Sequence, residues 1–132
     1  RTLDYIMSFG ERLSAYIITE AMNDQGLDSE FLDARTVVRT DSNFGYARVD
    51  FETTNRLIRK HFASHPQVQV ITGFIGASAS GETTTLGRSG SDYTAAIFAG
   101  ALQATDLEIW TDVDGMMTAD PRKVKKAFTV QE

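Results

Sequence analysis

The stretch TTTLGRSGSDYTAA, residues 83–96, decides how this chain folds, because it predicts the end of a strand, a glycine turn and the start of a helix. The three threonines and Leu86 belong to the strand, the two glycines allow a sharp backbone turn, and the alanines predict a helix that packs closely against a sheet. In open α/β sheets, ligands bind where strand ends lead into helix N-termini. Arg88 and Asp92 therefore stand at a place suited to binding a small molecule.

The composition is that of one globular domain or part of one, since 42% of the 132 residues are hydrophobic and 23% are charged. A net charge of −5 argues against nucleic acid or an anionic membrane as the main partner. The chain has no Cys, which excludes disulfides and thiolate zinc sites, and no apolar run approaches the roughly 20 residues of a membrane-spanning helix. We therefore expect a cytoplasmic protein with no nucleic acid and no membrane among its partners.

Apolar spacing predicts three helices separated by short strands. The first helix is predicted to begin at a capping box of Ser8 and Glu11 and to end at Gly26. The second is predicted to begin near residue 51 and to end before Pro66, and the third to run from Ser91 to Ala104. Strands are predicted at residues 30–34, 36–39, 46–50, 67–72 and 107–111, and a β-hairpin at residues 74–76 and 82–86. This alternation predicts an α/β fold with a mostly parallel sheet covered on both faces.

The loop at residues 87–92 is the first candidate for chemistry. Its glycines allow close backbone approach, the helix N-terminus offers free N–H groups and a positive dipole end, and Arg88 can bind a carboxylate or phosphate through paired hydrogen bonds. It is not a Walker loop, because the Gly-x-x-x-x-Gly-Lys-Ser/Thr spacing is absent. Local sequence favours equally the alternative that Ser91 or Asp92 caps the helix while Arg88 is solvated.

A second candidate loop contains Thr111 and Asp112 and is followed by Arg122. These hydroxyl, carboxylate and guanidinium groups could surround a nucleotide, although an acidic turn followed by an Asp-Pro turn explains the pattern more simply. Glu11 is ambiguous in the same way, because a capping box accounts for it fully and yet a carboxylate there could bind a substrate ammonium. Nothing in the local sequence decides between these interpretations.

His61 and His65 have the i, i+4 spacing of a zinc-binding helix pair. However, Phe62 occupies the position of the general base in the His-Glu-x-x-His motif. We therefore expect the two histidines to lie on a solvated helix end and predict no metal site.

Two motifs together, GETTTLGRSGSDYTAA at residues 81–96 and EIWTDVDGMMTADPR at residues 108–122, resemble the aspartate kinase family. The similarity extends over essentially the whole chain through SFGERLSAYII, FLDARTVVRT and VQVITGFIG. The resemblance implies an amino-acid-kinase fold, a three-layer α/β/α sandwich of the carbamate-kinase-like type. It also implies transfer of the γ-phosphoryl of ATP, carried with Mg²⁺, to the β-carboxylate of L-aspartate. The product, 4-phospho-L-aspartate, enters lysine, threonine and methionine biosynthesis.

The resemblance also assigns roles to the candidate residues. Arg88 matches the arginine that binds the substrate α-carboxylate, Glu11 the acid beside the substrate amino group, and Asp92 the aspartate that organises the catalytic lysines. The backbone around Ser89 and Gly90, with Ser91, completes the substrate pocket, and Thr111, Asp112 and Arg122 match ATP-binding positions. The sequence departs from the family at two positions. Ser89 replaces a common glycine, which is tolerable only without a positive φ, and Met117 replaces a common tyrosine, so no ATP contact is assigned there.

The resemblance predicts that residues 1–132 are the central part of a catalytic domain. The family's Lys-Phe-Gly-Gly motif, its later lysine segment and its ACT regulatory domains are not among these residues, so we expect the chain alone to be inactive. A truncated parallel sheet exposes edge strands and apolar faces, so we also expect self-association as a homo-oligomer. Both simple aspartokinases and bifunctional aspartokinase–homoserine dehydrogenases fit. The alternatives are another carboxylate kinase of this fold, acting on glutamate or N-acetylglutamate, and a non-catalytic effector-binding or assembly module.

Overall fold

The computed structural model of the protein describes residues 1–111 and 115–130. The helices in this part of the chain are α1 (Thr2–Asp24), α2 (Phe51–Phe62) and α3 (Gly90–Leu102). The strands are β1 (Ser29–Leu32), β2 (Arg39–Thr40), β3 (Val68–Ile71), β4 (Ile75–Ser78) and β5 (Thr83–Thr85), and a short 3₁₀ helix covers Ala34–Thr36. The predicted second and third helices are thus confirmed, the second ending at Phe62, before Pro66, and the third within two residues of its predicted bounds.

The predicted start of α1 is wrong. The helix begins at Thr2, and Ser8 lies inside it, fully buried, with its hydroxyl donating to the carbonyl of Tyr5 at 2.7 Å. Ser8 and Glu11 therefore form no capping box, because tertiary contacts of the turns before Ser8 extend the helix past the local start signal. The predicted stop is confirmed, since the helix ends just before Gly26, which has a φ of +83°.

The strands form two small sheets. β1 pairs in parallel with β3, from Ser29 opposite Val68 to Leu32 opposite Ile71. In the second sheet β4 lies between β2, to which it is parallel, and β5, with which it forms the predicted antiparallel hairpin. The mostly parallel α/β arrangement is confirmed.

Three predicted strands are wrong. Residues 36–39 are predicted to form a strand, but Thr36 ends the 3₁₀ helix and β2 begins only at Arg39. Residues 46–50 contribute only an isolated bridge between Val49 and Thr40, because Asp50 already caps α2 by accepting a hydrogen bond from the Thr53 N–H at 3.1 Å. Residues 107–111 are irregular and exposed, with Trp110 90% accessible, and among the described residues no neighbouring strand pairs with them.

α1 packs on one face of the strands of both sheets, and α2 and α3 pack on the other, which makes the three-layer arrangement. In β1, the Phe31 ring meets Tyr16 of α1 edge-to-face, with ring centroids 6.2 Å apart. The next residue, Leu32, points the other way into the core that contains Ile58 of α2 and Phe98 of α3. The outer face of α1 exposes a row of apolar side chains. Among the described residues, none of the helices combines the length and the apolar character that spanning a membrane requires.

Candidate active site

The candidate site lies where α1, the turn after β3 and the start of α3 meet. Glu11 projects from the middle of α1, and its Oε1 accepts a short hydrogen bond from the main-chain N–H of Gly73. A cavity of about 260 Å³ opens beside them, lined also by Ser91, Thr94 and Phe98 of α3. The site therefore lies at the carboxyl end of β3, where an open α/β sheet binds ligands.

Gly73 lets two polar side chains approach one point. A Cβ added at this glycine would lie 2.7 Å from Ser91 Oγ and 3.1 Å from Glu11 Oε1. Real Cβ atoms do not come so close to Oγ, so only glycine leaves room for both groups. The Glu11 carboxylate and the Ser91 hydroxyl, 80 residues apart in sequence, consequently flank one small space.

Phe74 has a backbone conformation that is uncommon for an aromatic residue, with a φ of +46°. Its N–H donates to Thr94 Oγ1 at 3.0 Å, and its carbonyl accepts from the N–H of Leu86 at 2.9 Å. A Cβ at Gly90 would lie 2.5 Å from the Cβ of Phe74. The turn after β3 is therefore held tightly against the start of α3, since strained residues of this kind persist only where their surroundings fix them.

The loop that precedes α3 is left-handed at two positions. Gly87 has a φ of +81° and Ser89 a φ of +57°. The expectation that Ser89 has no positive φ is therefore wrong, and this residue carries strain of about 1–2 kcal/mol. Ser89 is also the N-cap residue of α3, without a side-chain capping hydrogen bond.

Ser91 and Asp92 occupy the first turn of α3, so the interpretation of either as the helix cap is wrong. Asp92 is exposed there, where the helix dipole favours a carboxylate. Arg88 is also exposed, and it forms no hydrogen bond or ion pair with the part of the chain that the structure describes. A guanidinium without a partner among the described residues thus stands one turn before Ser91.

The carboxylate of Asp33 anchors α1 beside Glu11. Asp33 accepts hydrogen bonds from the Arg35 guanidinium at 2.6 and 2.9 Å and lies 3.3 Å from Nε of Arg12, the neighbour of Glu11. Burial opposes the charge on Asp33, but the hydrogen bonds and charge of Arg35, together with Arg12, hold its pKa below the usual value. The ionised cluster therefore ties α1 to the end of β1.

Two of the predicted nucleotide-binding residues, Thr111 and Arg122, do not line the Glu11 cavity. Thr111 is exposed and irregular, Asp112 lies outside the described residues, and Arg122 is exposed in a turn where its N–H donates to Asp120 Oδ1 at 2.9 Å. Met117 pairs with Thr129 in an isolated bridge. No described residue beyond α3 lines the Glu11 cavity, so the structure groups Glu11, Ser91 and the Arg88 loop but leaves the ATP-binding assignments as predictions.

The two histidine side chains stack on each other. The rings of His61 and His65 are parallel within 6°, with centroids 4.0 Å apart. His61 Nε2 bonds to Gln69 Oε1 at 2.8 Å, and His65 Nδ1 lies 2.8 Å from the His61 carbonyl. Each ring thus already has a protein partner. In residues 1–111 and 115–130 no group of three or more histidine, aspartate or glutamate side chains is placed to hold a metal ion.

Sequence reasoning missed three residues that shape the site. Gly73 and Thr94 line its cavity, and Phe74 holds the turn after β3 to Thr94, yet none of the three is among the candidate residues predicted from the sequence. The one available signal was the glycine that directly follows a Val/Ile strand, since such a glycine often marks close backbone approach.

Comparisons with known proteins identify relatives. The sequence profile described as the amino acid kinase family matches residues 1–132. The chain is 39% identical to the lysine-sensitive aspartokinase 3 of Escherichia coli (strain K12), over 98% of this chain and 29% of that protein. It is 38% identical to the chloroplastic bifunctional aspartokinase/homoserine dehydrogenase 2 of Zea mays, over 94% of this chain and 14% of that protein.

A solved structure matches the fold. The crystal structure of E. coli aspartokinase III in complex with aspartate and ADP has a TM-score of 0.90 and 39% identity, over 96% of this chain and 29% of that one. The resemblance stated from the motifs and the predicted fold class are confirmed. The chain spans less than a third of the length of these relatives.

Proposed function

Because the chain belongs to the amino acid kinase family, we propose that it is the central part of an aspartokinase catalytic domain. The domain transfers the γ-phosphoryl of ATP, carried with Mg²⁺, to the β-carboxylate of L-aspartate and yields 4-phospho-L-aspartate and ADP. The observation that carries the proposal is the placement of Glu11 and Ser91 on either side of Gly73, beside the loop that presents Arg88. The matching E. coli enzyme, crystallised with aspartate and ADP, supports this choice of substrates.

The proposed substrate pocket is complementary to an amino acid. The Glu11 carboxylate binds the substrate ammonium, and the exposed Arg88 guanidinium binds the α-carboxylate through a planar pair of hydrogen bonds that a lysine could not offer. The free N–H groups of Ser89, Gly90 and Ser91 add to the positive end of α3. Two opposite charges held on either side of the α-carbon leave the side-chain carboxylate to face the nucleotide.

Phosphoryl transfer requires little covalent chemistry from the protein. A carboxylate oxygen of the substrate is already a nucleophile, attacks the γ-phosphorus in line, and displaces ADP, so no general base is needed. Catalysis then depends on cationic groups that neutralise the spread charge of the transition state. We assign Asp92 to organising catalytic lysines supplied by sequence outside residues 1–132, and its exposed place in the first turn of α3 is compatible with that role.

The nucleotide is assigned to the segment after α3. Thr111, Asp112 and Arg122 carry the hydroxyl, carboxylate and guanidinium groups suited to ribose and phosphate recognition, and Mg²⁺ accompanies ATP rather than occupying a resident site. Homo-oligomer formation is part of the same proposal.

The test uses the full-length polypeptide that carries this chain. Acyl phosphate formation is trapped with hydroxylamine in the presence of Mg-ATP and L-aspartate, L-glutamate or N-acetyl-L-glutamate. We expect product from aspartate, and a KM for aspartate at least about tenfold higher after Glu11→Gln, which keeps the shape of the side chain but removes the charge that pairs with the ammonium. Glu20→Gln, an exposed acid on the same helix, is the matched control and should leave KM unchanged.

A second pair of variants tests the guanidinium. Arg88→Ala should lower kcat/KM for aspartate by about 100-fold or more, whereas Arg56→Ala, an exposed arginine on α2, should have no effect. Preference for glutamate or N-acetylglutamate, or aspartate phosphorylation that is unaffected by loss of Arg88, would refute the assignment. Absence of turnover with all three acids would favour the binding module.

A further inference from the structure

The aromatic ring of Tyr46 lies directly against Gly87, the residue before Arg88. A Cβ at Gly87 would be 2.7 Å from both Cδ2 and Cε2 of Tyr46. Tyr46 as a whole is nevertheless 67% exposed, and it borders a groove of about 520 Å³ rather than the core. Its contact with the Gly87 backbone therefore restrains the loop and adds little to the packing of the core.

The chain around Tyr46 is fastened to the strand that leads into Gly87. The Ala47 N–H donates to the Thr85 carbonyl at 2.9 Å, and the Gly45 N–H donates to Asp4 Oδ2 at 2.8 Å. The same Asp4 oxygen accepts from the N–H of Thr85 at 2.8 Å and from its hydroxyl at 3.0 Å. Both neighbours of Tyr46 are thus tied to Thr85, directly or through Asp4, which holds the backbone of Tyr46 beside Gly87.

The loop needs such support because Ser89, which has a Cβ, is strained in the left-handed conformation, and because Gly87, which has none, is free to leave it. Gly87 and Ser89, on either side of Arg88, both have positive φ. Tyr46 closes the space at Gly87, and Phe74 closes it at Gly90, where an added Cβ would lie 2.5 Å from Phe74 Cβ. The backbone of Arg88 is therefore held between two glycines, each blocked on one side by an aromatic residue.

We propose that Tyr46 is a positioning residue for Arg88. Its ring prevents the Gly87 backbone from relaxing out of the left-handed conformation and so aims the guanidinium at the substrate carboxylate. The ring acts through the loop and does not touch the substrate. Because the contact to Gly87 is made by ring carbons, the Tyr46 hydroxyl is dispensable. The expected effect of Tyr46 on the KM for aspartate rests on the proposed function. Its effect on the loop can be measured independently of that function.

Kinetics of the full-length polypeptide provide the first test. Tyr46→Ala should raise the KM for aspartate about tenfold, with the KM for ATP unchanged and kcat within about twofold, and Tyr46→Phe should restore the original value. Phe51→Ala removes another half-exposed ring of the same groove and should leave both KM values unchanged. A fall in kcat and thermal stability after Tyr46→Ala, with the KM for aspartate unaltered, would indicate a merely structural role and overturn the proposal.

Limited proteolysis provides a test that requires no enzyme activity. Trypsin cleaves after arginine, and cleavage after Arg88 requires the loop to open locally. Tyr46→Ala should accelerate cleavage at this bond about tenfold, whereas Tyr46→Phe and Phe51→Ala should not change it. An unchanged rate would overturn the positioning role even if aspartate is the substrate. If Tyr46→Ala is cleaved faster but the protein does not phosphorylate aspartate, the effect of Tyr46 on the loop stands and only the proposed function is refuted.

Discussion

Asp4 and Thr85, 81 residues apart in sequence, are joined by two hydrogen bonds: Asp4 Oδ2 accepts from both the N–H and the hydroxyl of Thr85. Asp4 is only 3% exposed and lies in the first turn of α1. Thr85 ends the strand that leads into the Arg88 loop. The first turn of the longest described helix is therefore connected to the candidate site by a buried carboxylate.

This connection predicts a pH dependence of stability. Burial opposes the ionised form of Asp4, but hydrogen bonds from Gly45 and Thr85 and the nearby N-terminal ammonium lower its pKa below the usual value. The folded state therefore binds protons less readily than the unfolded state. The stabilisation is fully present above the unfolded-state pKa of about 3.9 and is lost as pH falls through the lower folded-state pKa.

Substitution of Asp4 by Asn isolates that contribution. Asp4→Asn should lower the free energy of unfolding by about 1–3 kcal/mol at pH 7, and the difference from the original protein should shrink at pH 3. Urea titrations at pH 7 and pH 3 measure the free energy of unfolding of the variant and of the original protein. Asp28→Asn, at an exposed position, serves as the control and should leave the free energy of unfolding unchanged at both pH values. An equal loss at both pH values would show that the charge of Asp4 is not responsible.

Two glycines predict opposite outcomes for the same substitution. Gly73→Ala should destabilise the fold by about 1–3 kcal/mol and abolish aspartate binding, because the new methyl group would overlap Ser91 Oγ. Gly10→Ala, within α1, meets no atom within 4 Å and should stabilise the protein by about 0.5–1 kcal/mol through its better helix propensity. Calorimetric titration with aspartate and urea unfolding test the pair. Normal aspartate affinity in Gly73→Ala would place the substrate elsewhere.

Ser89 predicts a stabilising substitution. Glycine adopts the left-handed conformation at no steric cost, so Ser89→Gly should raise the free energy of unfolding by about 1 kcal/mol without reducing aspartate phosphorylation. Gln103, the C-cap residue of α3 with a φ of +54°, offers a matched comparison, and Gln103→Gly should give a similar gain away from the site. A loss of stability in Ser89→Gly alone would mean that the serine side chain contributes more than the strain costs.

The outer face of α1 predicts self-association of the 132-residue chain. Leu13 and Ile17 are 61% and 57% exposed on a face with several other apolar side chains, and large exposed apolar patches mark interaction sites. Multi-angle light scattering should show a mass that rises with concentration. Ile17→Lys should reduce this association, whereas Phe128→Lys, at a residue 66% exposed outside the helix, should not. A monomer mass at every concentration would contradict the prediction.

Local sequence was sufficient to predict the elements whose residues favour one conformation. The apolar spacing of α2, the alanines of α3 and the Val/Ile content of β3 identified these elements, because periodicity and propensity act over a few residues. Gly26 marked the end of α1 for the same reason. The two long motifs identified the family, since no local alternative explains both at once. Composition and patterning thus determined the fold class and located the Arg88 loop.

The tertiary structure decided what the local patterns left open. Ser8 and Glu11 match a capping box in sequence, but helix contacts made outside that window extend α1 and leave Glu11 to bond Gly73. Phe74 gave no signal, because its positive φ exists only where α3 packs against the turn. The site depends on contacts between residues 20 to 80 positions apart, and the energy of such contacts is not contained in the propensity of either partner.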